Sequence, residues 1–105
     1  MTDIIPAMPS SVRVLGMDMA VVVRTGDDAH MDDKFGYCDN LRMRIVLSEN
    51  NTPSQMRETC LHEVVHAVEW AVKADMEEDE VGRMARGLFA VLRDNPSFVK
   101  WIMEQ

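Results

Sequence analysis

His62 and His66 lie four residues apart with Glu63 beside the first, in the run His62-Glu63-Val64-Val65-His66. On a helix, residues four apart stack on one face, so both imidazoles can aim at one point. Neutral imidazole is a good zinc ligand, and zinc takes a tetrahedral set of N, O or S donors. Glu63 is too near His62 in sequence to close the same tetrahedron easily, but it can reach a water on the open position of the metal. Zinc lowers the pKa of such a water, and a carboxylate beside it takes the proton. This spacing therefore implies hydrolysis by a metal-activated water, with Glu63 as general base.

A third protein ligand is needed. One solution places a glycine and a third histidine soon after the pair. Residues Ala67 to Lys73 hold neither, so that solution fails. Glu69 is a turn beyond His66, too far along the axis to converge with His62, and reads as a group facing solvent or supporting a ligand from behind. The remaining donors are Asp75, Glu77, Glu78, Asp79 and Glu80. Helical phase sets Asp79 with Gly82, Arg83 and Arg86 on a polar face. Glu77 and Glu80 flank the apolar stripe, and phase leaves both open. The other acids read as a solvated helix start, favoured by the helix dipole.

A helix must hold the histidine pair, and its signals are local. Thr52 reads as the N-cap, Pro53 as the first helical residue, and Gln55 completes a capping box. The helix is expected over Pro53 to Val72, with Leu61, Val64, Val65, Val68 and Val72 as its apolar stripe. A second helix is expected to start near Asp75 or Met76 and stop before Asn95-Pro96, burying Val81, Met84, Ala85, Leu88 and Leu92. Asn95 and Pro96 open a short third helix with Phe98, Trp101 and Ile102 packed inward.

The first half of the chain reads as β. Val12 to Leu15 and Met19 to Val23, with Gly16 and Asp18 between them, read as strands or as one strand with an irregularity. Tyr37 to Asp39 leads through an Asp39-Asn40 turn into Arg42 to Leu47, where arginine alternating with apolar residues suggests a half-exposed strand. Strands followed by helices give an α+β class. The expectation is one domain over residues 1–105, with a small antiparallel or mixed sheet packed on the histidine-bearing helix and a second, ligand-bearing helix nearby.

The chain has 105 residues, 47% of them apolar, enough for one modest core. Its formal charge is −7, from 18 acids against 11 bases. Such a surface repels phosphate backbones, and the bases form no stripe, so nucleic acid is excluded as a partner. No apolar run has the length of a bilayer span, so no membrane partner is expected. Met1 to Pro6 lacks the basic start and apolar stretch of a secretory signal. Together with two cysteines read as free thiols, this makes the expected compartment cytoplasmic. The ten methionines read as adaptable core filler, Met84 among them.

Among the other polar groups, Tyr37 and His30 are upstream donors that could steady an oxyanion. Tyr37 reads more simply as a strand aromatic, and His30 as a surface residue in the acidic run Asp27 to Asp33. Cys60 falls on the far side of the helix from the histidines and reads as core. Cys38 is a strand residue with no assigned role. Trp70 and Trp101 read as packing residues.

His62 to Ala67, followed by Glu80-Val81-Gly82-Arg83-Met84-Ala85, resembles the small ImmA/IrrE-like gluzincin metallopeptidases, many of them phage-encoded. The resemblance covers roughly residues 36 to 98. It implies a zinc cofactor, His62, His66 and Glu80 as metal ligands, with Glu77 in reserve, and Glu63 as the catalytic residue. Met84 and Ala85 fit the family pattern, whereas Val81 and Gly82 depart from the small-residue and asparagine pair of larger members. The implied partner is a peptide or protein substrate, with a repressor-like regulator as one such target. The alternative is a catalytically silent zinc-binding regulatory or interaction module of a phage or mobile element. Glu63 favours catalysis, since a purely structural metal site has no use for an acid there.

Overall fold

The structure is a computed structural model describing residues 8–25 and 35–104. Among these residues the order is β1 (Ser11–Val14), β2 (Met17–Arg24), β3 (Gly36–Asp39), β4 (Arg44–Ser48), α1 (Pro53–Val72), α2 (Glu78–Asp94) and α3 (Pro96–Met103). The class is α+β, as expected. Met1 to Pro6, His30 and the acidic run Asp27 to Asp33 lie outside the described residues.

The strands form one mixed sheet in the order β1-β2-β4-β3. β1 and β2 are antiparallel, joined through Leu15 and Gly16 at φ 48° and 86°. Positive φ at both central residues is the turn that matches the right-handed twist of paired strands. β2 pairs with β4 in parallel, Val21 opposite Ile45, and β3 pairs antiparallel with β4, Cys38 opposite Ile45.

β4 is an interior strand and is enclosed as one. Ile45, Val46 and Leu47 are fully buried, each contributing roughly 1.5–3 kcal/mol by leaving water. The half-exposed strand expected from the arginine alternation is therefore corrected. Arg42 is exposed in the turn before β4, and Arg44 sits at its first position, where both guanidinium groups meet Asp39 at 3.1 and 3.5 Å. Asp39 also accepts from the Arg42 N–H at 3.1 Å. That backbone hydrogen bond, aided by the two arginines, holds the Asp39 carboxyl below its ordinary pKa despite some desolvation.

α1 begins and ends where its local signals put it. Thr52 accepts from the Gln55 N–H at 3.2 Å, and Gln55 accepts from the Thr52 N–H at 2.9 Å, completing the capping box. The face turned to the sheet is Met56, Cys60, Val64 and Ala67, packed with Val14, Met19, Val21, Ile45 and Leu47. Val68 and Val72, expected in the buried stripe, are exposed, as is Trp70. A second cluster, Val65, Val81 and Ala85 with Met76 against it, joins α1 to α2.

α3 packs, among the described residues, only on α2. Phe98, Trp101 and Ile102 are 45%, 72% and 48% exposed, so the expected inward packing is not found. Met84, Leu88 and Leu92 are likewise exposed, and Met84 is not core filler.

Candidate metal centre

Three elements meet at the site. β3 is brought against α1 by Gly36. A Cβ there would stand 2.6 Å from the Val46 carbonyl oxygen and 3.1 Å from Thr59 Cγ2, so only glycine allows the approach. Asn51 fixes the same corner: its amide donates to the carbonyls of Phe35 and Ser48, both at 2.8 Å, and Thr59 donates to its oxygen at 3.4 Å. One buried side chain thus ties the start of β3, the end of β4 and the second turn of α1 together.

The turn from α1 to α2 aims the third donor. Lys73 ends α1 in the left-handed region at φ 58°, and Ala74 N–H reaches back to the Glu69 carbonyl at 2.9 Å. Asp75 repeats the left-handed conformation at φ 54°. Met76 N–H then donates to the Glu69 carboxylate at 3.3 Å. The chain reverses, and Glu78 enters as the first residue of α2 facing the two histidines.

His62 Nε2 lies 2.7 Å from Glu78 Oε1, and His66 Nε2 lies 3.2 and 3.1 Å from Oε1 and Oε2. The ring centroids are 5.0 Å apart. Donor atoms of His62, His66 and Glu78 all fall within 4.8 Å of one another. Tetrahedral zinc with bonds near 2.0 Å sets its ligand atoms about 3.3 Å apart, so these separations need only small adjustments to hold an ion. Desolvation opposes ionisation of Glu78, but the hydrogen bonds and charges of the two histidines outweigh it and hold its carboxyl below the ordinary value. An ionised carboxylate and two imidazoles are a fitting donor set for zinc.

Glu80 is not at this point. Its carboxylate accepts from the Glu77 N–H at 2.8 Å and so caps α2. Of the five acids, the structure brings Glu78 to the histidines, and neither Glu80 nor Glu77. Asp79 pairs with Arg83 at 3.0 Å. Gly82, expected on a polar face with Asp79, is buried against α1, where a Cβ would stand 3.7 Å from His62 Cε1. The buried face of α2 is therefore Val81, Gly82 and Ala85, with the exposed Glu78 at its leading edge, rotated from the more apolar stripe through Met84 and Leu88. A readable signal existed: Gly82 and Ala85 are small, sit at helical spacing, and share a face with Glu78.

Glu69 stands behind the site. Its carboxylate is 3.8 Å from His66 Nδ1 while also receiving the Met76 N–H. It faces the ring nitrogen turned away from Glu78, beyond hydrogen-bond distance.

Glu63 is 5% exposed and lines the same cleft, a space of about 750 Å³ bounded by α1, α2 and β3. Tyr37 and Cys38 also line it. Burial, with the charge of Glu63 next in importance, pushes the Cys38 thiol up to about 12. Cys38 is therefore a neutral thiol at ordinary pH, donating to Asn40 at 3.3 Å. Burial likewise raises Cys60, which packs against the core.

Among the described residues, no helix is long and apolar enough to cross a membrane. No curated protein and no solved structure matches the chain. A family model, Peptidase M78, described as the IrrE N-terminal-like domain, matches residues 17–81. The match runs from the start of β2 into the first turn of α2, more than half of the chain, and holds His62, Glu63, His66 and Glu78. The chain belongs to the IrrE N-terminal-like domain family.

Proposed function

We propose that the chain is a zinc-dependent metallopeptidase in which His62, His66 and Glu78 hold the metal and Glu63 is the general base. The observation that carries this reading is the convergence of two imidazoles and one carboxylate beside a buried second carboxylate in an open cleft. Bound zinc would supply Lewis acidity toward a peptide carbonyl and acidify a water. A carboxylate oxygen of Glu63 takes the proton of that water and passes it to the departing amide nitrogen. Burial of Glu63 keeps bulk water from competing for the proton, and Glu69, 3.8 Å from His66 Nδ1, would steady that ring on closing to hydrogen-bond distance. Membership of a peptidase family supports the peptide as substrate.

The test is zinc content by elemental mass spectrometry with a parallel peptide-cleavage assay. Wild type is expected to hold one zinc per chain and to cleave. Glu63→Gln is expected to keep zinc and lose cleavage by about a hundredfold or more. A Glu63→Gln protein with full activity, or a wild type that takes up no zinc, sinks the reading.

A further inference from the structure

The cleft carries a positive group that the proposed chemistry does not use. Arg86 is one turn beyond Gly82 on α2 and lines the same cleft as His62, Glu63 and Glu78. Its Nη1 lies 3.8 Å from the point a Cβ on Gly82 would occupy, and His62 Cε1 lies 3.7 Å from that point. The guanidinium is folded back along the helix toward the histidines, and the missing side chain at position 82 leaves the space between them clear.

Neighbouring arginines are spoken for. Arg83 is paired with Asp79 at 3.0 Å and Arg93 with Asp94 at 3.3 Å. Among the described residues Arg86 makes no ion pair or hydrogen bond. The acids that share the cleft are Glu58, one turn before His62, with Glu63 and Glu78. Glu78 is committed to both histidines at 2.7–3.2 Å, and no ion pair joins Glu58 to Arg86. The protein is also strongly acidic, with a formal charge of −7. An anionic peptide meets general repulsion here, and among the described residues that line the cleft Arg86 is the one arginine or lysine. A guanidinium presents a planar fork of N–H donors that matches a carboxylate and is not deprotonated at ordinary pH.

We propose that Arg86 is a specificity-determining residue that binds a carboxylate of the peptide close to the scissile bond. That carboxylate is an aspartate or glutamate side chain, or the free C-terminus of the substrate. The proposal rests on the metallopeptidase reading of the cleft, since the zinc site fixes where the scissile bond lies.

The experiment measures binding of three short peptide hydroxamates to the zinc-loaded full chain. One has aspartate beside the hydroxamate and an amidated C-terminus. The second has asparagine there and a free C-terminal carboxylate. The third has asparagine and an amidated C-terminus. A charge-assisted hydrogen bond predicts at least about tenfold tighter binding of one carboxylate-bearing probe than of the neutral one. Whichever of the two is preferred identifies the source of the carboxylate. Arg86→Gln is expected to erase the preference while one zinc per chain is retained, and Arg86→Lys to restore only part of it, because it keeps charge without the fork. Equal affinities for all three probes, or a preference that survives Arg86→Gln, overturns the proposal. Failure of every hydroxamate to bind zinc-loaded protein overturns the metallopeptidase reading, and the proposal with it.

Discussion

The two halves of α2 differ in composition and in fate. In the first half Val81, Gly82 and Ala85 are buried against α1, and Glu78 at its start meets the histidines. In the second half Leu88, Val91 and Leu92 stay 40–45% exposed, and α3 behind them exposes Phe98, Trp101, Ile102 and Met103. The more apolar segment is thus the less buried one. Side-chain hydrophobicity offers a face for burial, but whether that face finds a partner is decided by where another element lies. Here α1 packs through Val65 on Val81 and Ala85 in the first half of α2, where the small side chains at Gly82 and Ala85 let it come close. The half built for close approach brings Glu78 to the histidines, and the half built of large apolar groups stays exposed.

The largest test of this contrast concerns the acids at the start of α2. Glu78→Gln should weaken zinc binding by more than about 100-fold, since losses in groups merely supporting a ligand already reach that size. Glu80→Gln should leave zinc affinity near wild type and lower the melting temperature slightly, because Glu80 caps the helix. Titration with a competing chelator separates the two, and the reverse order of effects would return the third ligand to Glu80.

Behind the ligands the expected effect is smaller. Glu69→Gln should lower zinc affinity by about tenfold, through a looser His66 ring and a less fixed Met76. A unchanged affinity in the same titration would make Glu69 part of the turn alone.

Packing supplies the next contrast. Val81→Ala should cost about 2 kcal/mol by opening a cavity between α1 and α2, read by urea denaturation. Leu92→Ala, in the exposed half, should cost less than about 1 kcal/mol. Equal losses at the two sites would mean that the second half of α2 is buried in solution. The smallest expected effect is at the far end: Trp101→Ser should change stability by no more than about 0.5 kcal/mol, as for other exposed positions. A large drop in melting temperature would show that α3 has a partner.

Local chemistry made much of the molecule readable in advance. The Thr52-Pro53-Gln55 signal depends on groups three residues apart, and α1 starts and stops accordingly. The two-strand unit around Gly16 and the turn closed by Asp39 are also short-range features. The start of α2 was less legible. Glu77 to Glu80 all favour a helix N-terminus, and nothing in that run says which acid is the first residue of the helix or which way it turns. The interior place of β4 was hidden for another reason: its parallel partner, β2, is distant in sequence, and Arg44 reads as solvent-facing until Asp39 is brought to it.

The sequence by itself determined the paired imidazoles, the acid between them and the helix that aligns them, because helical spacing and capping are properties of neighbours along the chain. Only the tertiary structure decided that Glu78 meets the two imidazoles, that Gly82 lies against His62, and that Arg86 enters the cleft. Each of these depends on how α2 is rotated against α1. That rotation is set by the left-handed residues Lys73 and Asp75, by the hold of Glu69 on Met76, and by contact among Val65, Val81 and Ala85.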